Sequence, residues 1–522
     1  MNFFPQLVLS LVIFSQSMFA GQWPQWRGEY RNGRSDDIIK LSQDWPQNGP
    51  KLIWESEEIP SQDYGGFSSV IADRKSVYLS LVWHKDVPTQ TRKICSLVLR
   101  KLGARKLNLP PDLIQKAEND RLSLSPRLRG EKLENWINEW ISNNLNQKQK
   151  LTVGDLITSR FKKGRLALPM SVIDRLFEVK DKVFDNQKEL DLWLSKEGFS
   201  EELKNKISDA VPPTKQVAED VVMAWNIETG GVQWKTSLDS VPTGRKSSST
   251  PCLSDNKIFT IGSEKIYCLD PLSGNLIWNQ TLPTKEIASS ILSYQNLVIV
   301  LAGHLLAYDK NTGHLIWENN EVVGKASSPI IWNTRNKILL ICNSSNHVFA
   351  LDPSNGKTFW MGPGGGSSTP VCNEDYLLVH AKKEEVGFIA YKFKNDKIEE
   401  KWRIPKLTRR TDSSPLIHDG HAYLIGSGMR LCVHLETGKI LRKTMAKHDI
   451  SSPIFAGGKI LAYEINGNFL KMIDPSPNHF QEVQKTKISA LRCTSPCLVG
   501  TKLIVRQEKK IACYELGSGS KK

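Results

Sequence analysis

From residue 221 onward, apolar and polar positions alternate in short runs that break at turn residues. Runs such as Lys257-Ile258-Phe259-Thr260-Ile261 and Asn275-Leu276-Ile277-Trp278 are brief, rich in β-branched and aromatic residues, and bounded by turns, so they predict strands. The runs recur in one order: a small residue, any residue, Asp, a turn, Gly, an apolar pair and Trp. Copies read Ala224-Trp225-Asn226 through Gly230 to Trp234, and Cys268-Leu269-Asp270 through Gly274 to Trp278. They continue with Ala307-Tyr308-Asp309 to Trp317 and Ala350-Leu351-Asp352 to Trp360. Weaker copies start at Ala390, which reaches Trp402, and at Cys432, Met472 and Cys513, with every step between 39 and 44 residues.

A second ladder, Ser/Thr-Ser/Thr-Pro, runs in phase with the first. It includes Ser249-Thr250-Pro251, Ser327-Ser328-Pro329, Ser368-Thr369-Pro370, Ser413-Ser414-Pro415, Ser451-Ser452-Pro453 and Thr494-Ser495-Pro496. Ser68-Ser69-Val70 and Ser289-Ser290-Ile291 lack the proline but complete a count of eight. Two ladders with one count predict an all-β, eight-bladed β-propeller of four-stranded antiparallel blades. Asp in each turn accepts from N–H groups and Gly takes the positive φ. The Trp that follows, as in Trp54, Trp234, Trp278, Trp317, Trp360 and Trp402, is expected to fill the gap between adjacent sheets.

The last copy, ending near Gly517, has no Trp-bearing strand after it. Lys51-Leu52-Ile53-Trp54-Glu55 supplies the missing pattern from the other end, so residues 51–59 are expected to close the ring. The first blade begins in 51–84 but resumes only at 219, and 219–517 carries the rest of the propeller. Between them, 85–218 has helical texture. Leu133, Trp136, Ile137, Trp140 and Ile141 make one apolar helical stripe. Further helices are expected near 152–161, 171–182, 186–196 and 201–210, as a self-contained decoration or a partner-docking arm.

Residues 1–20 are largely apolar and end in Ser17-Met18-Phe19-Ala20, which reads as an export signal, with an uncleaved N-terminal anchor as the alternative. A lead-in follows at 21–50, and 518–522 is a tail. No later run is long enough to span a bilayer, and no Cys stands at the cleavage point to carry a lipid. The expected location is therefore periplasmic or secreted. Net charge is +15, yet 101–218 carries only +5 of it and the rest is spread along the chain. That distribution gives no nucleic-acid footprint.

Chemistry-bearing motifs are few. Cys268, Cys432 and Cys513 occupy the small-residue slot, and Cys252, Cys372 and Cys497 follow the Ser-Pro ladder. Equivalent slots in different blades are too far apart to pair, so the nine cysteines are expected to be free, buried thiols. His418 and His421 flank an Asp-Gly turn and form no metal set. Residues just ahead of the Ser-Ser-Pro ladder should crowd the mouth of the central channel: Lys246, Glu286, Lys325, Arg410, Asp412, His448, Asp449 and Arg492. They are the candidate binding residues.

The Ala-x-Asp-x-x-Thr-Gly-x-x-x-Trp slots make the chain resemble the PQQ-like (quinoprotein-type) β-propeller repeat family, over 51–84 and 221–517. Trp23-Pro24-Gln25-Trp26-Arg27-Gly28 also looks like the lead-in of many secreted members. The family includes calcium-dependent quinoprotein dehydrogenases and the non-enzymatic outer-membrane assembly factor BamB. The resemblance implies that the dehydrogenases stack their quinone on a disulfide between adjacent cysteines, and no two cysteines are adjacent here. The expectation is a non-catalytic, BamB-like scaffold, monomeric and without cofactor, that binds protein or peptide partners. The alternatives are a quinoprotein dehydrogenase using PQQ and calcium, and a carbohydrate or extracellular-matrix binder.

Overall fold

The computed structural model describes residues 21–517 apart from 36, 60–65, 243–248, 285–287, 406–411, 427, 446–450 and 466. The export-signal reading at 1–20 and the tail at 518–522 lie outside the described residues. The chain divides into two compact units, one of residues 1–84 with 218–522 and one of 85–217.

The first unit is an eight-bladed propeller. From inner to outer strand, blade 1 is Ile71–Ala72, Ser76–Pro88, Thr214–Asn226 and Val232–Ser240. Blade 2 is Cys252–Ser254, Lys257–Ile261, Lys265–Leu269 and Leu276–Thr281, and the same antiparallel order repeats in blades 4 to 7. Blade 3 departs from the expected four strands. Its middle two merge into one run, Leu297–Asp309, between Leu292–Tyr294 and Leu315–Gly324. Gly303, at φ 83°, takes the left-handed conformation where the other blades break the strand with a turn.

Blade 8 closes the ring with chain from both ends. Lys51–Glu55 is its outer strand, bonded to Ile511–Glu515, then Lys502–Arg506 and Cys497–Val499. The core is split into layers between neighbouring blades. One layer joins Phe259 and Ile261 to Val298 and Val300, another joins Leu377 and Val379 to Leu339 and Ile341.

Each seam is built by the repeat itself. In six blades Trp pairs across the outer hairpin with the small residue: Ala224 with Trp234, Cys268 with Trp278, Ala307 with Trp317. Ala350 with Trp360, Ala390 with Trp402 and Cys513 with Trp54 follow suit, each beside a bulge that re-aims the side chain. Five indoles then donate from Nε1 to a carbonyl in the next blade's turn. Trp54 reaches Ile227 at 2.8 Å, Trp234 Pro271 at 2.9 Å and Trp278 Lys310 at 3.1 Å. Trp317 reaches Pro353 at 3.2 Å and Trp402 Leu435 at 2.6 Å. The turn glycine is required beneath the ring: a Cβ on Gly313 would lie 2.6 Å from Trp278.

Trp360 meets a different neighbour. Blade 5 turns tightly at Asn395-Asp396, and the ring packs edge-on against Tyr391 with centroids 4.9 Å apart. Blades 6 and 7 carry Arg442 and Gln484 in the Trp slot. Arg442 donates to the carbonyl of Asn478 in blade 7 at 2.9 Å, and Gln484 donates to the carbonyl of Gln43 in the lead-in.

The second unit is helical: Ser96–Lys101, Pro111–Ser123, Glu131–Asn144, Gln147–Lys163, Met170–Glu178, Gln187–Lys196 and Glu201–Ala210. The fourth helix starts earlier than the apolar pattern indicated, because Asn146 and Gln149 form a reciprocal capping box. Arg92–Lys93 and Val183–Phe184 pair as a short hairpin. Trp136 and Trp140 both meet Phe161 edge-on at 5.0 Å. Glu118 is buried between Arg121 at 2.8 Å and Arg160 at 2.7 Å. Burial alone would raise its carboxyl, but the bonds from the two guanidiniums hold it below the usual carboxylate value. The N–H of Thr89 donates to the carbonyl of Pro213 at 3.1 Å, so this unit's two ends meet.

Two outcomes follow from this architecture. Trp278→Ala removes a wedge and leaves a void, and should cost about 3–5 kcal/mol in a denaturant melt. Glu118 stabilises the helical unit fully above the ordinary carboxylate range, and that contribution is lost as pH falls through its lowered value. Acid titration followed by circular dichroism should show helix loss with falling pH, and Glu118→Gln should flatten that dependence.

Candidate functional site: the central channel

The eight Ser/Thr ladders meet at the innermost strands. There the backbone N–H of each second ladder residue donates to the hydroxyl of its equivalent in the next blade. The bonds run from Ser69 to Thr250, Ser290, Ser328 and Thr369, then to Ser414, Ser452 and Ser495. Ser495 donates back to Ser69, so the circle closes, with all eight distances between 2.8 and 3.2 Å. Ser or Thr is needed because Oγ must accept at a point where the chain enters a strand. Proline next in line removes a donor that the innermost edge has no strand to satisfy.

Three of the candidate mouth residues are described. Lys325, half-buried, and Asp412 and Arg492, both exposed, each precede a ring hydroxyl by two or three residues. They therefore lie directly ahead of the hydroxyl ring along the chain. Lys246, Glu286, Arg410, His448 and Asp449 lie outside the described residues.

The lead-in crosses the innermost strands, a placement its sequence did not reveal. The N–H of Trp23 donates to the Ala72 carbonyl in blade 1 at 2.7 Å, and the N–H of Leu253 in blade 2 donates to the Pro24 carbonyl at 2.7 Å. Farther on, Ser35 and Phe455 of blade 7 bond through Ser35 N–H at 2.9 Å, and Phe455 N–H donates to Gly33 at 2.7 Å. Between these anchors Arg31 donates to the carbonyls of Ser290, at 3.0 Å, and Ile291 in blade 3. Arg27 donates to the carbonyl of Pro415 in blade 6, and Arg34 to Ile417 at 3.3 Å. Arg27 and Arg31 are fully buried. Burial, with Arg31 nearby, pushes the Arg27 guanidinium down to about 9, and burial pushes Arg31 down to about 10, so both are cations at neutral pH. Nothing in the residue pattern around Arg27 and Arg31 separates them from solvent-exposed arginines.

Two cavities open elsewhere. One of about 390 Å³ lies between the lead-in and blades 1 to 3, lined by Gln22, Gln25, Asp73, Cys252 and Asp255. The other, about 600 Å³, lies by the turns of blades 4 and 5, with Arg335, Glu374, Lys392, Glu399 and Glu436 among its lining.

None of the nine cysteines is in a disulfide. Burial pushes Cys252 and Cys432 up to about 11 and Cys268, Cys372 and Cys513 up to about 12, far from nucleophilic character. Desolvation lowers His418, with Arg34 adding to it, and its ring packs 3.8 Å from that of Phe455. Among the described residues no group of three or more His, Cys, Asp or Glu is placed to hold a metal. No two of the nine cysteines are adjacent, so the residues present do not fit a quinone stacked on a disulfide between adjacent cysteines.

A family model described as outer membrane protein assembly factor BamB matches residues 218–444 and 336–522, which together span more than half of the chain. The chain belongs to this BamB family. Its propeller is similar to the crystal structure of BamB from Moraxella catarrhalis, at 14% identity and a TM-score of 0.47, covering 58% of this chain and 90% of that one. It is also similar to the computationally designed Ika8 protein, at 10% identity and TM-score 0.43, covering 57% and 93%. Saccharomyces cerevisiae Sqt1 gives 10% identity and TM-score 0.44, covering 58% and 93%. No curated protein matches the chain. Among the described residues no helix is long and apolar enough to cross a membrane.

In this BamB-family chain Gly33 has φ 75°, and a Cβ there would lie 2.6 Å from Arg27 Nη2 and 2.7 Å from Leu416. Gly33→Val should destabilise the lead-in by about 1–3 kcal/mol. Limited proteolysis should then cut within 21–50 faster than in the parent protein.

Proposed function

We propose that this protein is an exported, non-catalytic interaction scaffold that takes part in assembling envelope proteins. The observation that carries the reading is the family match over 218–522, to a model described by an outer membrane assembly factor. The buried thiols and the poor fit to a quinone site support a binding role over oxidation chemistry. Most tryptophans outside the helical unit serve blade seams or the core, which leaves little aromatic surface for a carbohydrate platform.

The partner is a protein or peptide that approaches the end of the channel bearing Lys325, Asp412 and Arg492. Mixed charges on a rim steer association and select partners more than they add affinity. The helical unit offers a second docking element, joined to blade 1 by the chain on both sides. An apolar N-terminal segment at 1–20 supports export to the periplasm or beyond.

Affinity capture from envelope extract with the full chain should recover envelope assembly proteins. Reversing Lys325, Arg410 and Arg492 together to Glu should lower recovery about tenfold. Equal recovery would remove the channel mouth as the docking site, and capture of no envelope protein would remove the scaffold reading.

A further inference from the structure

Arg27 and Arg31 place two positive charges inside the propeller. Among the described residues neither guanidinium has an ion pair with a carboxylate. Their bonds go to the Gln25 side chain and to the carbonyls of Asn32, Ser290, Ile291 and Pro415. Nε and Nη1 of Arg27, and Nε of Arg31, are buried with no hydrogen-bond partner. Buried cations of this kind are ordinarily paired, because removing a charge from water is costly and carbonyl dipoles offset only part of that cost.

The location is specific. Arg31 bonds the carbonyl of Ser290, itself a member of the hydroxyl ring, and Arg27 bonds that of Pro415, the neighbour of ring member Ser414. Both guanidiniums therefore lie beside the circle of eight hydroxyls. Each ring oxygen accepts from a backbone N–H, and no bond donated by a ring hydroxyl is found among the described residues. A hydroxyl carries one donor and two acceptor sites, so up to eight O–H donors remain to be used beside the two cations.

We propose that the channel binds a small anion, held between Arg27, Arg31 and the ring hydroxyls, which fastens the lead-in across the innermost strands. The shared chemistry is a compact negative charge that takes several N–H and O–H donors. A halide, a tetrahedral oxyanion and a carboxylate, the last free or at a peptide terminus, all have it.

The test uses the full chain after exhaustive dialysis into a bulky organic anion at constant ionic strength. Chloride, phosphate and acetate are then titrated in separate arms while thermal unfolding is followed. Saturable stabilisation by at least one arm is expected, with a rise of roughly 2–4 °C at a hundredfold excess over its dissociation constant. The arm that saturates first identifies the anion class. Arg27→Gln and Arg31→Gln should each abolish the saturable shift, whereas Lys188→Gln in the helical unit should keep it. Should the arginine variants fail to fold, crystals of the parent protein grown in bromide provide a second readout, with anomalous density expected beside Arg27 and Arg31. Stabilisation that never saturates, together with no bromide density beside the two arginines, would overturn the proposal.

Discussion

A propeller sheet has two apolar faces and must find a neighbour for each, so the ring is stable only when its last seam is closed. Here closure takes chain from both ends of the propeller. Lys51–Glu55 completes the sheet begun at Cys497, Trp54 bonds the turn of blade 1, and Ser495 donates to Ser69. Strand pairing, indole wedge and hydroxyl ring thus meet at one junction. Contacts so distant in sequence are costly to form, and they hold because every other seam gains from the closed circle.

The seams are not identical, and their differences have local causes. Where the indole is present, a small Ala or Cys stands opposite, and for every one except Trp360 a glycine in the next blade's turn leaves room beneath it. Where it is absent, other chemistry bridges the gap. Arg442 reaches into blade 7 with a hydrogen bond, and Gln484 turns to the lead-in instead. Leu41 and Ser42 then bond Gly517 and Leu516 of blade 8, and Gly49 lies against Thr486 of blade 7. The lead-in therefore bridges blades 7 and 8, one of the two junctions without a tryptophan wedge. One short segment both crosses the innermost strands and contributes contacts to this seam.

This arrangement bears on function. Arg27 and Arg31 bond the carbonyls of Ser290, Ile291 and Pro415, at or next after ring positions, whereas Lys325, Asp412 and Arg492 precede ring positions in the chain. A lead-in held across the innermost strands is compatible with the scaffold role proposed above.

Much of this was legible in the residues. The Asp-turn-Gly-Trp ladder and the Ser-Ser-Pro ladder each declare eight blades, because a local turn and a local strand start recur at a fixed spacing. Gly66 through His84, followed by a helical stretch, also declared the interruption of blade 1. The helix boundaries were less clear, since a capping box at Asn146 extends a helix beyond its apolar stripe. What only the tertiary structure decided depends on contacts between residues far apart in the chain. That Ser69 and Ser495 are hydrogen-bonded neighbours, that Arg27 and Arg31 are buried beside the ring, and that Glu118 joins two arginines are such facts. A pattern along the chain records which face of an element is apolar. It does not record which carbonyl a long, flexible guanidinium will reach once eight sheets have closed around it.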